Sequence, residues 1–256
     1  RTANLPRYIR LLQALKKPNA DAVIQKEIET GLKNGLQEEA DYNNLETLYG
    51  LAKLPEQAKL IAALKKEKFP AGRWVINDVV QKFNSEKDQV KRKELLADIT
   101  KKIETDNNWS LLKPNLSFYH QQFLFAYINK KDWIGFKTEM AEQAVLNKDE
   151  QASLYNSAAW RIQETGKDLD FAEEFSGIAT THAKNEWQTP SGTKPAGMTV
   201  KQWRTQKESI YAMYADTYAM VMYGLGKYKK GLQYAKDAAI LIEKGQNPDE
   251  NNTYAL

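Results

Sequence analysis

The stretch 211–245, YAMYADTYAMVMYGLGKYKKGLQYAKDAAILIEKG, contains the pattern that decides the fold. Two segments with helical spacing are separated by a turn at Gly226 and Tyr228, and small residues occur where two packed helices must approach closely. These small residues are Ala215 and Ala219 on the first segment and Gly231, Ala235 and Ala238 on the second. Such a unit is typical of helical-repeat scaffolds, which present surfaces for binding partners.

The rest of the sequence has the same helical character. Only 13 Gly and 8 Pro interrupt long stretches rich in Lys, Glu, Ala, Leu and Gln, which favour helices. The spacing of Leu5, Tyr8, Leu12 and Leu15 predicts one apolar stripe on a first helix. No segment alternates as a strand does, so we predict an all-α protein.

Residues 106–256 repeat a single pattern. Residues 118–146, 153–180 and 212–243 each contain a helix, a short polar turn and a second helix, in units of about 34 residues. The pattern resembles the tetratricopeptide repeat, although the tryptophan and the first Leu-Gly pair of that repeat are not kept. We therefore predict a right-handed stack of antiparallel helix pairs, a degenerate tetratricopeptide-like superhelix, over residues 106–256.

A helical bundle is predicted over residues 1–105. The run Asp106-Asn107-Asn108 breaks the helical pattern, and it is too short to be a flexible linker, so we expect the two halves to pack on one another.

One long loop and three helix starts are also predicted. Residues 188–199, QTPSGTKPAGMT, contain two Pro and two Gly and are predicted to be a loop, which either covers the surface or docks a partner. Serine, threonine or aspartate three residues before an acid or amide is typical of a helix start. The predicted pairs are Thr199 with Gln202, Ser85 with Asp88, and Asp170 with Glu173.

The composition excludes several classes of function. The chain has 256 residues, 42% of them hydrophobic and 27% charged, and no Cys, which excludes disulfides, thiolate metal sites and thiol catalysis. Its net charge of +4 comes from interspersed acids and bases, so no nucleic-acid partner is predicted. No apolar run reaches the ~18–20 residues of a membrane span. No catalytic motif, metal site or cofactor site is present, and His120 and His182 are interpreted as ordinary structural residues.

The candidate binding residues lie on the first helix of each repeat. Repeat scaffolds bind partners on the concave face that these helices form. Alignment of the three units places six residues on that face: Gln121, Phe125, Asn156, Trp160, Asp216 and Met220. Amides, an acid and large apolar groups together are typical of a groove that binds a peptide or a protein, and the same row could instead bury a neighbouring domain.

Four sequence words carry a further resemblance. They are YNSAAW at 155–160, YAMYADTYA at 211–219, GLGKYKKG at 224–231 and DENNTYAL at 249–256. Residues 150–256 resemble the helical region that precedes the thioredoxin domain in envelope thiol-disulfide oxidoreductases of Bacteroidetes.

The resemblance implies that this chain is either a helical region of a longer exported protein or a relative that has lost the thioredoxin domain. The parent would reside in the periplasm or as an outer-membrane lipoprotein, with a lipid anchor upstream of Arg1. In that family the redox site is a Cys-x-x-Cys in the thioredoxin domain, so no catalytic residue carries over to this chain. The expected function is that of a non-catalytic scaffold whose partner is a protein or peptide, such as the adjoining thioredoxin-like domain.

Two alternatives stay open. One is a free-standing module that binds peptides or proteins without a redox connection. The other is a helical protein that grips a small ligand or a glycan with its Trp and Tyr side chains.

Overall fold

The computed structural model describes residues 5–242, 244, 246 and 248–255. Over these residues the protein is helical and contains no strand, which confirms the all-α prediction. The chain divides into two compact units. Unit 1 consists of residues 1–87 and 101–110, and unit 2 of residues 88–100 and 111–256. The predicted boundary after residue 105 stays a prediction. Arg1, Glu243, Gly245, Asn247 and Leu256, to which sequence predictions refer, lie outside the described residues.

In the part of unit 1 that the structure describes, from residue 5 onward, five helices are complete. They are α1 (Leu5–Ala14), α2 (Ala20–Asn34), α3 (Glu39–Leu51), α4 (Pro55–Lys68) and α5 (Arg73–Ser85). Helices α1, α2 and α3 contact one another, and α4 packs on α3. Their buried side chains form one core: Ile9, Ile24, Ile28, Tyr42, Leu45, Leu48 and Ile61.

The apolar stripe on α1 differs from the prediction. Ile9 is fully buried, whereas Tyr8 and Leu15 are exposed. The helix ends one residue before Leu15, and the chain turns at Lys16 with a φ of +49°. Leu15 therefore leaves the helical face on which the spacing placed it, and the stripe prediction is wrong at these two positions.

Unit 2 contains the helices of the segments that were predicted to repeat. After the first part of α6 (Gln89–Thr105) and a 3₁₀ helix (Asn107–Asn115), seven helices follow. They are α7 (Leu116–Lys130), α8 (Trp133–Ala141), α9 (Lys148–Gln163), α10 (Leu169–Gln188), α11 (Val200–Gly224), α12 (Tyr228–Lys236) and α13 (Pro248–Ala255). A π-helical segment, Asp237–Ile242, continues α12. The predicted break at Asp106-Asn107-Asn108 is short, because α6 ends at Thr105 and the 3₁₀ helix already begins at Asn107.

Helices of unit 2 pair in chain order. Contacts join α7 with α8, α9 with α10, and α11 with α12, while α9 also contacts both α7 and α11. The first helices of the three pairs therefore follow one another side by side. Helix α13 packs on α11 and α12.

The close helix contact predicted around Gly231 is confirmed. A Cβ atom added to Gly231 would lie 3.1 Å from the carbonyl oxygen of Ala219, so no larger residue fits there without movement of the helices. Tyr211, Tyr214 and Tyr218, which recur at intervals of three and four residues on α11, are buried. Gly226 makes the turn between α11 and α12 with a φ of +71°, which glycine adopts at little cost.

Of the three predicted helix starts, one is confirmed. The hydroxyl of Thr199 accepts from the backbone N–H of Gln202 at 3.2 Å and starts α11. Ser85 instead ends α5 and donates to the carbonyl of Gln81. Asp88 accepts the backbone N–H groups of Val90 and Lys91 at the start of α6. The pairing of Asp170 with Glu173 is wrong, because α10 begins at Leu169.

Among the helices in the described part of the chain, none combines the length and the apolar character that crossing a membrane requires.

Candidate functional site

The candidate site lies mainly on α7, α9 and α11 of unit 2. The start of α9 is fixed by a reciprocal cap, in which the Asn147 side chain accepts from the backbone N–H of Glu150 and the Glu150 carboxylate accepts from that of Asn147. Thr199 fixes the start of α11 in the same way. These caps fix where α9 and α11 begin, and the two helices carry most of the side chains of the site.

Five of the six sequence-predicted residues line one groove, of about 760 Å³. These five are Phe125 on α7, Asn156 and Trp160 on α9, and Asp216 and Met220 on α11. We call this concavity the groove. Its other lining residues are Ser157, Arg161, Met213, Thr217, Asn252 and Thr253.

Gln121, the sixth predicted residue, does not line the groove. Its side-chain amide donates to Oε1 of Glu150 at 3.2 Å. Glu150 belongs to the cap of α9, so Gln121 joins α7 to the start of the neighbouring helix.

A buried amide marks the groove. Asn156 is 9% exposed, and its Oδ1 atom makes no hydrogen bond to any residue that the structure describes. A buried acceptor without a partner is unfavourable in a folded protein, and such groups occur at functional positions. The atom is enclosed, so a ligand that donates a hydrogen bond would satisfy it once the side chain turns toward the groove.

Large apolar side chains surround this amide. Trp160 is 40% exposed and Met213 is 51% exposed, while Phe125 and Met220 are partly buried. The groove therefore offers apolar contact area to a ligand as well as polar groups. Arg161 is exposed.

The sequence analysis missed several groove residues. Met213 lies three residues before Asp216 and seven before Met220, which is the spacing of one helical face, so periodicity could have found it. Asn252 and Thr253 come from α13, which lies outside the repeats. No repeat spacing relates that helix to α9 and α11.

A separate charged cluster in unit 2 holds the base of the 188–199 loop. Lys207 Nζ lies 2.8 Å from Asp149 Oδ2 and 2.8 Å from Glu186 Oε2. Burial is the largest single influence and would raise the pKa of both carboxyls. The hydrogen bonds and charge of Lys207, together with hydrogen bonds from His182 to Asp149 and from Ser191 to Glu186, outweigh burial and hold each pKa below its ordinary value. Glu186 also accepts the backbone N–H of Ser191 at 3.2 Å, so the cluster anchors the loop. The predicted loop is confirmed over 189–199, between α10 and α11.

The two histidines have structural partners. His120 Nδ1 lies 2.5 Å from the side-chain oxygen of Gln143, and burial lowers the pKa of His120. His182 Nε2 lies 2.6 Å from Asp149. Within the described ranges, no group of three or more His, Asp or Glu side chains is arranged to hold a metal ion.

A second surface lies beside the groove, on α11, α12 and α13. We call it the aromatic surface, and it consists of the exposed residues Tyr223, Tyr228, Leu232 and Tyr254. Its concavity, of about 200 Å³, is smaller than the groove.

Comparisons with protein-family models, with curated proteins and with solved structures find no significant match to this chain.

Proposed function

We propose that unit 2 is a non-catalytic scaffold that binds an extended segment of a protein or peptide in the groove. One observation carries the proposal: the groove combines exposed apolar side chains with the buried, unsatisfied Oδ1 of Asn156. A peptide can match both features, because its side chains bury apolar surface and its N–H groups donate hydrogen bonds.

A tetratricopeptide-like arrangement is part of this proposal. It is supported by the pairing of α7 with α8, α9 with α10 and α11 with α12, and by the contacts of α9 with α7 and α11. In such a stack the first helices line the concave face. Their residues Phe125, Trp160 and Met220 share the groove, as that arrangement requires.

The groove is favoured over the aromatic surface as the binding site. Both expose large apolar groups, but only the groove is lined by a buried acceptor that lacks a partner among the described residues. The larger volume of the groove also accommodates several consecutive side chains of an extended segment.

A direct test selects ligands for the whole 256-residue chain from a library of random decapeptides. Affinities of the selected peptides are then measured by fluorescence anisotropy for the wild type, Trp160→Ala and Tyr228→Ala. Both substitutions remove an exposed aromatic ring, but only Trp160 lines the groove. We expect Trp160→Ala to weaken binding at least tenfold and Tyr228→Ala to change it less than twofold. Equal effects would contradict the assignment to the groove.

The non-catalytic part of the proposal has its own test. A chain without Cys offers no thiol for disulfide exchange. We expect no insulin reduction by the pure protein, and turnover would contradict this claim.

A thioredoxin-like domain is the partner that the sequence resemblance favours, in a parent protein of the bacterial cell envelope. The coding sequence of the parent tests this link. A Cys-x-x-Cys segment downstream of residue 256 would support it, whereas a stop codon there would remove the redox connection and leave peptide binding in place.

A further inference from the structure

The polar groups of the groove are unequally distributed. Asn156 is buried and presents a hydrogen-bond acceptor without a partner among the described residues, and Asp216 on the adjacent α11 is partly buried and carries a negative charge. The basic residue among the lining side chains, Arg161, is exposed. The buried part of the groove therefore favours groups that donate hydrogen bonds or carry positive charge.

The walls add a second requirement. Trp160, Met213 and Met220 present apolar surface, and the ring of Trp160 can also attract a cation through its π face. A ligand group with a long apolar stem and a terminal cation can contact these apolar side chains and also reach the polar groups of Asn156 and Asp216.

We propose that the groove binds the side chain of a lysine within an extended peptide. The inference rests on the proposed function and names the chemistry of its ligand. The ammonium group donates to Oδ1 of Asn156 and is balanced by the carboxylate of Asp216, while the methylene stem packs against Trp160 and Met220. An ammonium has three donors and no acceptor, so it can serve acceptors on two different helices at once.

A negatively charged ligand group is the alternative to lysine. If Arg161 were the main anchor, the groove would take an acidic side chain or a carboxylate. The two possibilities respond in opposite directions to substitution of Asp216 and Arg161, so a single set of measurements separates them.

The test uses three fluorescein-labelled peptides, Gly-Ala-Leu-X-Leu-Ala-Gly, with X as lysine, norleucine or glutamate and with blocked ends. Norleucine keeps the apolar stem of lysine but lacks the charge. Affinity for the full chain is measured by anisotropy at low and at physiological salt. We expect the lysine peptide to bind about tenfold more tightly than the norleucine peptide, with the difference falling as salt rises.

Two variants that each remove one charge complete the test. Asp216→Asn should remove most of the preference for lysine over norleucine. An unchanged hydrogen-exchange profile of α9 and α11 shows that the groove is still folded in this variant. Arg161→Gln should strengthen binding of the lysine peptide about twofold, because it removes a like charge.

The outcomes are distinct. Equal binding of the lysine and norleucine peptides overturns the inference but leaves the peptide-binding proposal intact. Preference for the glutamate peptide, lost in Arg161→Gln, overturns it in favour of the opposite polarity. Absence of binding by all three peptides at millimolar concentration overturns the inference, while the decapeptide selection decides the proposed function separately.

Discussion

Replacement of Asn156 by leucine should stabilise the protein, although it alters a buried position. The Oδ1 atom of Asn156 has no hydrogen-bond partner among the described residues, and a buried polar group in that state costs about 1–3 kcal/mol. Leucine has a similar shape and no polar atom, so it removes this cost. Its two methyl groups take the places of the amide oxygen and the amide nitrogen.

A matched control separates the burial effect from helix propensity. Leucine favours a helix over asparagine by a few tenths of a kcal/mol, roughly, at any exposed helical position. Asn185 lies on α10 and is exposed, so Asn185→Leu measures that gain alone. We expect Asn156→Leu to raise the free energy of unfolding by about 1 kcal/mol more than Asn185→Leu does.

The assay must report on unit 2, because a chain with two units need not unfold in one step. Hydrogen exchange of the α9 amides, followed by mass spectrometry, reports the free energy of opening that helix. The reasoning is refuted if both Asn156→Leu and Asn156→Ala lower this free energy relative to the control, since Asn156 would then be making a favourable hydrogen bond in solution.

Three further outcomes follow from unit 2. Gly135→Ala should destabilise the protein by about 1–3 kcal/mol, because the new Cβ would lie 2.7 Å from the ring of Tyr127. Thermal melts measure the effect, and the control is Gly197→Ala, whose new Cβ meets no atom within 4 Å. Lys207→Met should cost about 3 kcal/mol in urea unfolding, because it leaves the buried Glu186 without its cation; an unchanged midpoint would contradict this. Because the folded state lowers the pKa of Glu186, this carboxylate stabilises the fold at pH values above its ordinary pKa of about 4.5. The free energy of unfolding of the wild type should therefore fall as the pH drops below that value, and more steeply than that of Lys207→Met.

The core of the repeats could be predicted from local spacing. Tyr211, Tyr214 and Tyr218 recur at helical intervals, and the small residues Ala219 and Gly231 mark a close helix contact. Both signals are periodic within one or two helices, so the sequence shows them directly. The same periodicity, extended across repeats, predicted five of the residues that line the groove.

Helix starts were harder to predict where several polar residues compete. Ser85 and Asp88 both suit a cap, and the structure uses the second alone because the preceding helix extends through Ser85. Near residue 170 the helix begins one residue before the predicted cap, after Asp168 adopts a φ of +56°. The choice among such neighbours depends on how far adjacent helices extend, which local pattern does not encode.

Two features of the groove depend on tertiary structure. Gln121 leaves the predicted row because the Glu150 carboxylate of the neighbouring helix accepts its amide. Asn252 and Thr253 enter the groove because α13 packs on α11 and α12. Neither contact is related to the repeat by spacing.

The most direct measurement of peptide binding in the groove uses the five methionines as reporters. The chain, labelled with ¹³C at the methionine methyl groups, is titrated with the tightest decapeptide from the selection, and the signals are assigned with single Met→Leu variants. Met213 and Met220 line the groove, whereas Met140 and Met222 are buried in helices and Met198 lies in the loop. Binding in the groove predicts that the signals of Met213 and Met220 shift with saturation while that of Met140 stays in place. Saturable binding that leaves both groove signals unmoved would contradict the account.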